Sequence, residues 1–147
     1  MVAPLPLAQP ANDPRATAAD PHVGYAWLAL GLLLLGLSGL IETLPAPAVL
    51  HALTVGAVGT MTLAVMTRAS LGNTGRPLSA GPVTKAVYGL ITAAALLRIL
   101  SPLAGAQIEL VLWLAGIAWS CAFGLFAVFY GIVLGRPRVR DEATRPI

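Results

Sequence analysis

VGYAWLALGLLLLGLSGLI, residues 23–41, runs without a single charged side chain and carries four leucines in a row, Leu32–Leu35. A helix needs roughly 20 apolar residues, at 1.5 Å rise each, to cross about 30 Å of hydrocarbon. This stretch meets that length, and the rest of the chain is of the same kind. Thr43–Thr67 is a second apolar run whose only ionisable residue is His51, with Pro45 and Pro47 marking the turn before it. Leu110–Gly135 is a third. Pro82–Leu103 is weaker, because Lys85 and Arg98 interrupt it. The whole chain of 147 residues is 57% hydrophobic and 10% charged, against about 25% charged in ordinary globular proteins. A water-soluble domain of this size buries only about 68–70% of its unfolded surface, too little to hide so much apolar matter. A soluble enzyme is therefore excluded. Cys121 is the only cysteine, which excludes a disulfide scaffold.

The expected fold is an all-α membrane protein, a bundle of four transmembrane helices at about 23–44, 48–71, 82–103 and 108–135. A disordered tail, 1–22, precedes it and a basic tail, 136–147, follows. Met1–Pro21 has no basic segment directly before a short apolar core, so no cleaved signal peptide is read there. With four spans, both termini and the middle loop share one side. That side holds Arg15, Arg68, Arg76, Lys85, Arg136, Arg138, Arg140 and Arg145, eight of the nine basic residues. Arg98 alone lies opposite, near Glu42 and Glu109. The positive-inside rule makes the basic side, and both termini, cytoplasmic. The basic charge is thus topogenic and calls for no nucleic acid. The expected surroundings are a lipid bilayer and, through small-residue seams, another membrane chain or a second copy of this one. Those seams are Gly31, Gly36 and Gly39; Ala52, Gly56, Thr60 and Ala64; and Gly116, Ser120, Gly124, Gly131 and Gly135. Such seams let helix backbones approach closely in lipid. Trp113, Trp119, Phe123, Phe126, Phe129 and Tyr130 crowd the last helix, as lipid-facing anchors or as a cofactor wall.

Ionisable groups within membrane helices are costly and each asks for a reason. His51 opens the second span, either as an interfacial histidine bonded to a carbonyl or as a metal or haem ligand. Arg98 lies 13 residues after Lys85, roughly 20 Å along a helix. It snorkels outward, pairs with Glu109 or Glu42, or clamps an anion such as a carboxylate. Met61 and Met66 sit deeper; a thioether is either packing or a copper(I) ligand. Cys121 reads as a small packing residue. His22 and His51 flank the first span on opposite sides, so both cannot ligate one iron within a chain. No hydrolase triad, phosphate loop or zinc cluster is present.

The stretch from His51 to Leu78, HALTVGAVGTMTLAVMTRASLGNTGRPL, resembles the NnrS family of bacterial membrane proteins. Ala95–Ile99 and the aromatic last helix ending near Arg136 and Arg138 also resemble it, so the likeness covers about residues 25–140. Family members are much longer, and this chain is similar to their C-terminal four-helix portion. The resemblance implies a place in the bacterial inner membrane, a role in denitrification and nitric-oxide stress, and a haem and copper centre. It transfers His51 and Arg98 as the polar site residues. From the residues themselves, Arg68 and Arg76 are candidate contacts to lipid phosphate or a cofactor carboxylate, and Met61, with His51, is a candidate metal ligand. The loop departs from the family at one position: the family's Gly-His-Thr-Gly-Arg reads here as Gly72, Asn73, Thr74, Gly75 and Arg76. A non-enzymatic subunit that completes a larger membrane complex is the alternative reading. Gly72 is expected to end the second helix in a left-handed cap.

Overall fold

The computed structural model describes residues 14–41, 45–76, 78 and 81–137, with side chains from His22 onward. All regular structure among these residues is helical. The order is α1 (Pro14–Ser38), α2 (Ala46–His51), a π-helical stretch (Ala52–Gly59), α3 (Thr60–Asn73), α4 (Pro82–Leu100), a 3-10 stretch (Ser101–Gln107) and α5 (Ile108–Leu134).

From Ala46 to Asn73 the three segments run on as one apolar rod of 28 residues with mean hydropathy 1.7. Pro82–Leu134 is more apolar still, at 2.1. It is not one rod, because Gly105 takes φ 52° and ψ −122° and turns the chain. Only glycine enters that region without a Cβ penalty. Both apolar stretches are long enough to cross a bilayer. Only 22% of the most apolar window of Pro82–Leu134 lies buried inside the molecule. A soluble core helix would hide far more of itself.

Helix α1 begins at Pro14, ahead of the start near residue 23 read from hydropathy, because Pro14–Pro21 is helical in backbone but not apolar. Helix α4 starts where expected, with Gly81 extended at the N-cap and Pro82 in the first turn, where a missing N–H costs nothing. The end of α3 corrects one expectation. Gly75, not Gly72, takes the left-handed conformation, at φ 68°. The Arg76 N–H then reaches the Leu71 carbonyl at 3.1 Å and the Gly75 N–H reaches that of Gly72 at 3.2 Å. This pair of bonds is a Schellman motif.

The rods pair antiparallel. Along α1, Gly24 faces Met61, Trp27 faces Gly56 and Gly31 faces Leu53. Helix α4 runs beside α5, with Thr84 meeting Tyr130 near one end. The main core lies between α3, α4 and α5 and is built from Leu63, Val87, Ile91, Ala122, Phe126 and Tyr130. A second cluster joins Trp27, Ala52, Ala57 and Ala95. Phe126 and Tyr130 therefore turn inward, while Trp113 is 72% exposed. Cys121 is exposed on α5 and fills no core position.

Candidate functional site

His51 closes α2 and is half-buried. Its Nδ1 lies 2.5 Å from the carbonyl oxygen of Pro47, one turn earlier. A carbonyl can only accept, so Nδ1 carries the proton and donates. The lone pair is then on Nε2. Metal-bound histidines are oriented in this way, one ring N–H held by a carbonyl and the other nitrogen left for the ligand. Pro47 lies four residues before His51, so the ring folds back along its own helix to reach that carbonyl.

Arg98 comes to the same place from α4. With His51 it lines a cavity of about 400 Å³, closed on a third side by Ala115, Trp119 and Ser120 of α5. A smaller hollow of about 200 Å³ adjoins it, again lined by His51 and Arg98, with Pro47 and Ser101. Ser101 Oγ donates to the Arg98 carbonyl at 2.9 Å, which steadies the last turn of α4. The guanidinium is half-buried, and it makes no hydrogen bond or ion pair with a described residue.

The backbone directly after His51 is unusual. Ala52–Gly59 is π-helical, a wider coil that is rare and concentrates at functional sites. Gly56, Ala57 and Gly59 lie buried there, with Trp27 packed against Gly56 and Ile91 against Gly59. Val55 of this stretch is part of the cavity wall.

Other residues singled out in the sequence lie elsewhere. Met61 packs against Gly24 of α1, ten residues along from His51, about 15 Å by helical rise. Arg68 is exposed on α3. Arg76 lines a different cavity, with Leu71, Pro82 and Tyr130, past the far end of the Ala46–Asn73 rod from His51. Glu109 is exposed beside Leu112 and Trp113. Glu42 lies outside the described residues. The structure thus joins His51 with Arg98 and separates both from Met61, Arg68 and Arg76. Trp119 and Ser120 were not assigned to this site from the sequence. Their spacing from Ala115 and Gly116, four residues on, was the available signal, since it puts all four on one helical face.

The donor set is one imidazole with a free Nε2 and one cation suited to a carboxylate. Such a set would suit a haem, with His51 holding its iron and Arg98 its propionate. It is less than a copper site needs. None of the other lining residues is a His, Cys or Met, and no group of three or more His, Cys, Asp or Glu stands together among the described residues.

The family model described as NnrS protein matches residues 20–138. No curated protein and no solved structure matches the chain significantly.

Proposed function

The chain belongs to the NnrS family, and on that premise we propose that it is a multi-pass inner-membrane protein of the nitric-oxide stress response, with both termini cytoplasmic. Its proposed working site is the cavity between His51 and Arg98, and the cofactor is haem. The observation that carries this reading is the His51 ring, held at Nδ1 by the Pro47 carbonyl with Nε2 turned from that bond, beside a guanidinium that has no partner among the described residues. Haem, when bound, supplies an iron that takes small diatomic ligands. The chain's own residues do the rest. His51 presents one basic nitrogen in a fixed tautomer. Arg98 binds a carboxylate and holds its charge at the cavity mouth. Ala115, Val55 and Trp119 keep the walls apolar. A copper centre, in this reading, draws its further donors from a second chain.

The test is the ultraviolet–visible spectrum of the detergent-purified chain. The expected result is a haem band that is lost in His51→Ala and weakened in Arg98→Gln. An unchanged band in His51→Ala overturns the ligand assignment.

A second reading is favoured by α5. A Cβ built on Gly116, Gly124 or Gly131 would meet nothing within 4 Å. This seam is free to pack on another membrane helix, as a subunit completing a larger complex would require. A cross-linked heteromer that co-purifies with the chain supports it; a monomer carrying its own haem argues against it.

A further inference from the structure

The cavity at the other end of the molecule is a second polar site. It measures about 280 Å³ and is lined by Arg76, Gly81, Val83, Thr84, Phe129 and Tyr130, among others. Three sets of donors converge on it. The first is Arg76. The Schellman turn at the end of α3 fixes its backbone, since its N–H is bonded to the Leu71 carbonyl. Its side chain is half-buried, and the only carboxylate among residues with described side chains is Glu109, which lines a different hollow. The second is the first turn of α4, a helix of 19 residues with no side-chain cap. The N–H groups of Val83 and Thr84 belong to the orphan donors of that turn, and the helix dipole favours an anion there. The third is a buried hydroxyl pair. Thr84 is 2% exposed and Tyr130 is 1% exposed, and their oxygens lie 2.8 Å apart. That bond consumes one of their two protons. Neither hydroxyl bonds any other described residue, so one of the two buried protons on the cavity wall has no acceptor among the described residues.

A guanidinium fork, uncapped helix N–H groups and a spare hydroxyl proton, with few acceptors to oppose them, select an anion rich in oxygen. A carboxylate offers two oxygens in one plane. A phosphate offers three or four in a tetrahedron, which suits donors arriving from α3, α4 and α5. Leu71 and Phe129 supply apolar walls beside the polar ones. We infer that this cavity binds a phosphate group. Its ligand class is a phosphate ester, either the headgroup of a phospholipid or a soluble phosphate. Arg68, Lys85 and Arg136 lie toward the same end of the rods, so the site sits at the level where a bilayer presents its headgroups. The inference rests on the membrane reading of the helices and is independent of the haem reading.

The test uses the full chain in a maltoside detergent. Dioleoylphosphatidylglycerol is titrated in and retained lipid is read by native mass spectrometry; inorganic phosphate is titrated separately by calorimetry. The wild-type chain is expected to retain one lipid tightly. Arg76→Gln should lower that affinity about tenfold or more, the scale of a lost charge-assisted bond. Thr84→Val should lower it less, and Arg136→Gln, outside the cavity, should leave it unchanged. Helical circular dichroism stays as in wild type in each variant. Saturable phosphate binding that displaces the lipid assigns the site to soluble phosphate esters as well; lipid retention without it assigns the headgroup. Equal lipid retention in wild type and Arg76→Gln overturns the site, as does an equal loss in Arg136→Gln.

Discussion

What lies beyond the α-carbon separates two glycines that look alike in the sequence. A Cβ on Gly56 would lie 2.6 Å from Trp27 Cδ2, whereas one on Gly124 would meet nothing within 4 Å. Both belong to seams of small residues spaced by four. Gly56→Leu should therefore wedge α1 away from the rod it packs on, costing about 1–3 kcal/mol. Gly124→Leu should leave the thermal unfolding midpoint of the detergent-solubilised monomer unchanged. Thermal melts followed by circular dichroism check both. The seams themselves were legible, because spacing by four marks one helical face. Which seam meets a neighbour was not, because that depends on the helix that arrives. Trp27, the partner that makes Gly56 necessary, carried no distinguishing signal in its apolar run.

The helices show the same division between what hydropathy reports and what packing adds. Helix α4 spans Pro82–Leu100 and α5 spans Ile108–Leu134, with Pro82 in the first turn of one and the Gly105 turn shortly before the other. The π-helical stretch was hidden, because Ala52–Gly59 reads as an ordinary apolar helix. Likewise Arg68 and Arg76 were grouped with His51 as cofactor contacts, and the length of the intervening rod carries them to the other end. His51 and Arg98, 47 residues apart in the chain, do share a cavity. That proximity was suggested only by their common side of the bilayer. The wide coil makes a prediction of its own. Deleting Val58, which is 61% exposed, removes one residue from the coil without opening the core. The stretch should then tighten to an α-helix, narrowing the coil at Val55, which walls the His51 cavity, while the lost residue offsets the slower turn of the wider coil and keeps His51 nearly in register with α3. Haem binding should be lost while helical content is kept, as absorbance and circular dichroism on the same sample will show. Retention of the haem band would mean that His51 needs no help from the coil.

Across the whole molecule the two ends differ in character. One gathers His51, Arg98 and Glu109; the other gathers Arg68, Arg76, Lys85 and Arg136. That imbalance is the basis for orientation. An alkaline phosphatase reporter, active only outside the cytoplasm, should be silent when fused after Pro137 and active when inserted at Gly105. Activity after Pro137 would overturn the four-span count. Trp27, tucked against Gly56, has a consequence beyond packing. The chain has three tryptophans. Trp27 is 6% exposed, while Trp113 and Trp119 are 72% and 45% exposed. Trp113 and Trp119, the latter in the open wall of the His51 cavity, form an outer pair, and Trp27 faces the interior. A quencher dissolved in the acyl chains would darken the outer pair and spare the inner one, so the light that survives comes from the seat of α1. The protein carries, in its native residues, an optical gauge of whether its first helix is in place.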